Sequence, residues 1–141
     1  MAVITKSVCH SFAVQLHDGS IICAKFWRIF PYRDRPLLVV FASPAFCTNA
    51  VCGPQVEIAS ELREVYGNEV DFMRVDLYSN PQEIQGDLSI AKLTPLLREW
   101  GLSPQEWTFI VDSDGIVTHR FENFAPKPEL IEALDQTIAM G

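Results

Sequence analysis

Two cysteines separated by four residues, Cys47 and Cys52, are the side chains of this sequence best suited to chemistry. They lie between an apolar run at residues 37–41 and a segment in which apolar residues recur at three- and four-residue steps, namely Val56, Ile58, Ala59, Leu62, Val65 and Tyr66. The run is typical of a buried strand and the segment of an amphipathic helix, which predicts a strand-to-helix junction. Unpaired N–H groups and the helix dipole favour a thiolate at such a helix N-terminus.

Pro54 limits where that helix begins. Inside a helix its ring would clash with the carbonyl of Ala50, so a regular helix contains Pro54 only in about its first turn. Cys52 is therefore predicted in the first helical positions or just before them, and Cys47 in the loop. Five residues along an ideal helix separate Cα atoms by about 8.6 Å, whereas a disulfide needs about 7 Å or less. The two cysteines can therefore be bridged only if the chain between them leaves the helical path. We expect redox change to rearrange residues 47–53.

The alternative is that the cysteines serve only packing, because free cysteine is among the most buried residue types. The junction position favours a redox pair. For Cys9 and Cys23 the packing interpretation is preferred, and an additional pair stays open. A zinc site is disfavoured, because the cysteines do not form two close pairs and the histidines show no metal-ligand spacing. No metal and no cofactor are expected.

Composition excludes several classes of partner. The chain has 141 residues, a net charge of −7 and no basic patch, which argues against nucleic acid and against an anionic membrane surface. No apolar run approaches the length of about 18 residues that a membrane span needs. The N-terminus does not resemble a signal peptide. We therefore expect a cytoplasmic protein if Met1 is the native start, and an extracytoplasmic one if an export segment was trimmed.

The hydrophobic pattern predicts one α/β domain over residues 1–141, a sandwich of helices on a sheet. Asp18-Gly19 between apolar runs predicts a β-hairpin at about residues 11–30. The predicted elements that follow are a strand at 37–42, a helix ending near Tyr66 at a left-handed Gly67-Asn68 cap, a strand at 70–76, a helix at 90–100 that starts or kinks near Pro95, strands at 107–111 and 116–121, and a last helix after Pro128.

These residues resemble a thioredoxin-fold protein, specifically the TlpA-like branch of thiol–disulfide oxidoreductases and its peroxiredoxin relatives. The resemblance rests on residues 37–41 leading to Cys47, on the strand and turn at 107–115, and on the N-terminal hairpin. It implies a thioredoxin-like three-layer α/β/α sandwich with an N-terminal hairpin extension. It also implies that Cys47 is the nucleophile, that Cys52 resolves the mixed disulfide, and that the partner is a protein thiol or disulfide.

The chain departs from the family pattern at two places. The usual thioredoxin pair has two residues between its cysteines, and here there are four. The family's cis-proline falls at Glu106, with Pro104 two residues earlier. A carboxylate beside Cys47 would disfavour its thiolate. We prefer to interpret Glu106 as a solvated loop residue, and a role in the site is the alternative.

Three functions follow from the resemblance. The first is a thiol–disulfide oxidoreductase in which Pro44, Phe46, Glu106 and Trp107 lie at the substrate-binding site. The second is a peroxiredoxin-like peroxidase with the same four-residue gap. It ranks lower because Pro44 replaces that family's threonine and Glu106 falls near its arginine, which removes two donors to the transition state. The third is a binding module whose disulfide is structural.

Overall fold

The computed structural model describes residues 2–5, 13–15, 21–23, 35–43, 51–99, 101–113 and 117–140. Within these ranges the chain forms seven strands, four helices and a 3₁₀ turn. The strands are β1 (Ala2–Thr5), β2 (Ala13–Gln15), β3 (Ile21–Cys23), β4 (Leu37–Phe41), β5 (Asp71–Val75), β6 (Trp107–Val111) and β7 (Val117–Glu122). The helices are α1 (Cys52–Tyr66), α2 (Pro81–Ile84), α3 (Pro95–Glu99) and α4 (Lys127–Met140), and the 3₁₀ turn is Leu88–Ile90.

The strands form a mixed sheet in the order β3-β2-β1-β5-β4-β6-β7. Strands β1, β5 and β4 run parallel, and the remaining neighbours pair antiparallel. The predicted crossover from β4 through α1 to a parallel β5 is confirmed. Strands β2 and β3 pair as a hairpin inside the predicted range, while the turn between them lies outside the described residues. Strand β1 was not predicted.

Strand β4 is buried along its whole length, and its side chains alternate between two hydrophobic cores. Leu37, Val39 and Phe41 join the core that α3 covers through Leu96 and Leu97. Leu38 and Val40 join the core on the opposite face, which α1 and α4 cover. Helices therefore flank both faces of the sheet, and the predicted three-layer α/β/α sandwich is confirmed.

Helix α1 corrects two expectations. Ala59 and Leu62 are buried as predicted, but Val65 is 71% exposed and lies off the buried stripe. Gly67 ends the helix in a right-handed conformation (φ −60°) rather than in the expected left-handed cap. Glycine is needed there for a different reason, since a Cβ atom would lie 2.6 Å from the carbonyl oxygen of Arg63. The Gly67 N–H donates to the same carbonyl oxygen at 2.9 Å.

Helix α3 is shorter than the apolar pattern of residues 90–100 predicts. It begins at Pro95, directly after Thr94, which confirms the start expected near that residue. Proline supplies no N–H and fits the first helical position. Gly101 follows with φ +66°, a left-handed conformation that suits glycine after a helix. Residues 88–90 form a separate 3₁₀ turn and residues 91–94 are not helical, so the helix occupies only the second half of the predicted range.

None of the helices formed by the described residues combines the length and the apolar character that crossing a membrane requires.

The central strand supplies a stability test. Leu38 is fully buried between β5 and β6, and Leu38→Ala leaves a cavity in the α1 and α4 core. We expect urea denaturation to show a loss of about 2–5 kcal/mol in the free energy of unfolding. Val65→Ala is the matched control, because this exposed side chain should change stability by about 0.5 kcal/mol or less. Equal effects of the two substitutions would contradict the assignment of β4 to the core.

Candidate functional site

The candidate site lies at one edge of the sheet, where β4 and β5 end and β6 begins. Phe41 on β4 is opposite Val75 of β5 on one side and Trp107 of β6 on the other. One residue further, the N–H of Ala42 donates to the carbonyl of Val75 at 3.0 Å. The chain that leaves this edge after Ser43 carries the predicted cysteines.

A buried polar cluster holds the end of β4. Ser43, which is 1% exposed, donates its hydroxyl hydrogen to the Asp76 carboxylate. The Ser43 Oγ in turn accepts from the N–H of Leu77 at 2.8 Å. Asp76 Oδ1 also accepts from the N–H of Tyr78 at 3.0 Å, and Arg74 lies 3.9 Å from Asp76 Oδ2. These bonds fix where the chain leaves the sheet toward the cysteine segment.

The structure describes only part of the predicted cysteine site. Pro44, Phe46 and Cys47 lie outside the described residues, and so does Cys9. Cys52 is the first residue of α1, and Pro54 is the third, so the predicted start of the helix is confirmed. The pairing of Cys47 with Cys52 stays a prediction.

The N-terminus of α1 provides an electrostatic setting that suits an anion. Val51 occupies the N-cap position and makes no side-chain capping bond, and no acidic residue lies in the first turn. The first helical hydrogen bond joins the N–H of Gln55 to the carbonyl of Val51 at 3.0 Å. The positive end of the helix dipole is therefore not neutralised by a carboxylate from its own first turn.

Gln55 is a buried polar residue that the sequence analysis did not single out. It is fully buried, and its amide makes two hydrogen bonds to the backbone of Ala125. Gln55 Nε2 donates to the Ala125 carbonyl at 3.2 Å, and the Ala125 N–H donates to Gln55 Oε1 at 2.6 Å. Its spacing could have identified it, because Gln55 lies four residues before Ala59 and seven before Leu62, on the buried face of α1. We call this paired contact the Gln55–Ala125 clamp.

Glu106 corrects one interpretation of the sequence. Only 3% of Glu106 is exposed, so it is not a solvated loop residue. It directly precedes β6, and its carbonyl accepts from the N–H of Asn123 at 2.9 Å. No cis peptide bond occurs among the described residues, which include Pro104. A buried carboxyl group therefore lies where the resemblance would place that proline.

Trp107 is packed against the core. It is 6% exposed, its ring stacks on Phe109 with 6.2 Å between centroids, and its indole N–H donates to the Ser103 carbonyl at 3.0 Å. The Arg120 guanidinium lies 5.7 Å from the ring centroid. Packing accounts for these contacts, and a contact between Trp107 and a substrate stays a prediction.

The loop between β7 and α4 carries an exposed aromatic ring. Asn123 has φ +64°, a left-handed conformation that asparagine tolerates, and Phe124 follows it with 44% exposure. The next residue is Ala125 of the clamp, so Phe124 is adjacent in sequence to a residue bound to the first turn of α1.

No group of three or more metal-ligating side chains is arranged to hold an ion in the part of the chain that the structure describes. His119 contacts Thr118 at 3.0 Å and Gln136 of α4 at 3.1 Å, and it is paired with Ile110, three residues along β6 from Trp107.

Comparison with solved structures identifies the architecture. The exposed lipoprotein thioredoxin of Streptococcus pneumoniae aligns over 89% of this chain and 98% of its own, with a TM-score of 0.63 and 12% identity. Chloroplastic thioredoxin z aligns over 79% and 85%, with a TM-score of 0.57 and 18% identity. The fold is thioredoxin-like. A malarial protein also aligns, over 74% of this chain and 98% of its own, with a TM-score of 0.53 and 15% identity.

Sequence comparison adds no closer assignment. No protein-family model matches the chain, and no curated protein matches its sequence. The similarity to thioredoxins therefore establishes the fold alone, and the function has to be inferred from the residues at the site.

The Ser43 cluster can be tested by substitution. Ser43→Ala removes the donor to Asp76 and leaves the Leu77 N–H without its acceptor, so we expect the free energy of unfolding to fall by about 1–3 kcal/mol in urea denaturation. Ser60→Ala, an exposed position on α1, is the control and should change it by about 0.5 kcal/mol or less. A Ser43→Ala protein as stable as the control would show that the cluster does not hold the end of β4.

Proposed function

We propose that this protein is a thiol–disulfide oxidoreductase whose redox pair is Cys47 and Cys52. The observation that carries the proposal is the position of Cys52 at the first residue of α1, where no acidic side chain of the first turn opposes a thiolate. Helix N-termini lower thiol pKa values, which favours the thiolate of Cys52, the residue that resolves the mixed disulfide. The thioredoxin-like fold is compatible with this activity.

The proposed reaction is a pair of thiol–disulfide exchanges. The Cys47 thiolate attacks one sulfur of a partner protein's disulfide, a mixed disulfide forms, and the partner's other sulfur leaves as a thiolate. The Cys52 thiolate then attacks the Cys47 sulfur, which forms the Cys47–Cys52 disulfide and releases the second partner thiol. Two electrons pass to the partner, and the reverse sequence oxidises it.

The helix boundary supports this pairing. Five residues on a regular helix place Cα atoms about 8.6 Å apart, beyond the range of about 7 Å that a disulfide spans. Since α1 begins at Cys52, Cys47 precedes the helix and its distance from Cys52 is not fixed by helical geometry. In the proposed site, Pro44 and Phe46 contact the protein substrate, and the amino end of β6 at Glu106 and Trp107 borders it.

A second candidate function is a non-catalytic binding module with a structural disulfide. The observation that favours it is the buried Glu106, because a carboxyl group here replaces the residue that the family presents to substrate peptides. Thr108 adds to the polarity of this strand, since its buried hydroxyl has no hydrogen-bond partner among the described residues. The two functions differ in the redox properties expected of the cysteines.

The reduction potential of the cysteine pair decides between these functions. We expect a value between about −270 and −120 mV in glutathione buffers, with loss of insulin-type disulfide reduction in Cys47→Ser. Cys52→Ser should retain the first exchange and accumulate a mixed disulfide. A value below about −300 mV, or no disulfide at all, would favour the binding module. Peroxide consumption by the reduced protein that far exceeds that of free cysteine would instead indicate the peroxidase.

The role of Glu106 can be tested separately. A carboxylate near Cys47 opposes its thiolate, so Glu106→Gln should increase the alkylation rate of Cys47 at pH 7 by about threefold or more. The assay uses protein in which the other three cysteines are replaced by serine. Glu64→Gln on the exposed side of α1 makes the same change in net charge and should leave the rate unchanged. A Glu106→Gln rate equal to this control would place Glu106 outside the site.

A further inference from the structure

We propose that Gln55 is a positioning residue for the cysteine pair. Through the Gln55–Ala125 clamp it fixes the first turn of α1, and thereby the location at which Cys52 meets Cys47. This inference rests on the proposed function, and it adds a residue three positions beyond Cys52 to the machinery that sets the redox equilibrium.

Among the described residues, the clamp is a buried one of the polar contacts between α1 and either α4 or the loop before it. Near the middle of α1, Glu61 pairs with Lys127 at 2.7 Å, and at its end the Tyr66 hydroxyl donates to Asp135 at 2.8 Å. Both of these contacts are exposed to solvent, where such bonds contribute little. Gln55 and Ala125 are both fully buried, so the strongest restraint acts at the end of the helix that carries Cys52.

The clamp bonds both polar groups of a buried amide. The side chain of Gln55 donates to the Ala125 carbonyl and accepts from the Ala125 N–H. Movement of either partner would therefore leave buried polar groups without hydrogen bonds. The backbone N–H of the same residue closes the first helical turn on Val51. One residue therefore anchors the turn that contains Cys52 to a second element of the fold.

The partner loop is itself held at the other side of the site. Asn123 donates its N–H to the carbonyl of Glu106, two residues before Ala125. A continuous set of contacts thus runs from the amino end of β6, through the loop 123–125, to the first turn of α1. This arrangement fixes Cys52 relative to the edge at which Glu106 lies.

The expected effect follows from the disulfide reaction. Oxidation joins the two sulfur atoms and passes two electrons to glutathione disulfide, which becomes two glutathione thiols. When the first turn of α1 holds Cys52, only the chain on the Cys47 side has to rearrange, so forming the bond costs less conformational freedom than when the first turn frays. Loss of the clamp should therefore favour the dithiol form.

The test compares reduction potentials of Gln55→Met, which removes both hydrogen bonds, and Gln55→Asn, which keeps the amide but shortens its reach. We expect the equilibrium constant for oxidation by glutathione disulfide to fall about tenfold in Gln55→Met, a rise of about 30 mV in potential. Tyr66→Phe, which removes the tie at the far end of α1, is the control and should change it less than twofold. Gln55→Asn keeps the test available if Gln55→Met does not fold.

A constant equal to or above the wild-type value in the folded Gln55 variants, even with a lowered melting temperature, would overturn the proposal and leave Gln55 as a purely structural residue. Absence of any Cys47–Cys52 disulfide in the wild-type protein would instead refute the proposed function. In that case, protein with Cys52 as its sole cysteine decides the positioning role. The pH dependence of its alkylation should shift to higher pH in Gln55→Met and not in Tyr66→Phe, and an unshifted profile would overturn the proposal.

Discussion

The structure depends on a central strand that is buried on both faces. Residues Leu37 to Phe41 are apolar on both faces of the strand, so the strand has to lie between neighbouring strands and beneath helices on each face of the sheet. Its alternating side chains divide the interior into two cores, one under α3 and one under α1 and α4. The strand also ends at the sheet edge from which the chain passes to the cysteines, so core packing places this edge.

Polar contacts then fix the chain on both sides of the cysteine segment. Before it, Ser43 is bonded to Asp76 and to the Leu77 backbone, which ties β4 to the end of β5. After it, Gln55 is bonded to Ala125, which ties α1 to the loop before α4. Buried polar groups of this kind are costly when unpaired, and both sets therefore restrain the backbone more sharply than apolar contacts of equal area.

The edge also carries acidic groups whose placement bears on reactivity. Asp76 directly follows β5 and Glu106 directly precedes β6, the two strands that flank β4, whereas the first turn of α1 has no acidic side chain. A thiolate close to the helix would be stabilised by the dipole, and one close to the carboxyl groups would be opposed by them. The position that a reactive cysteine takes between these features therefore governs its acidity.

The sequence by itself determined the α/β class, the parallel β4–α1–β5 unit and the start of α1, because these follow from local hydrophobic period and from the covalent limits of proline. It did not determine that Glu106 is buried or that Gln55 is bonded to Ala125, seventy residues away in the chain. Those facts depend on which distant backbone groups meet a side chain after folding. The sequence also did not reveal that α1 ends in a right-handed conformation at Gly67, or that Val65 is exposed. A helical pattern alone does not show which side of an apolar stripe the neighbouring elements cover. Tertiary structure decided these points because burial and hydrogen bonding are properties of the assembled layers and not of any single segment.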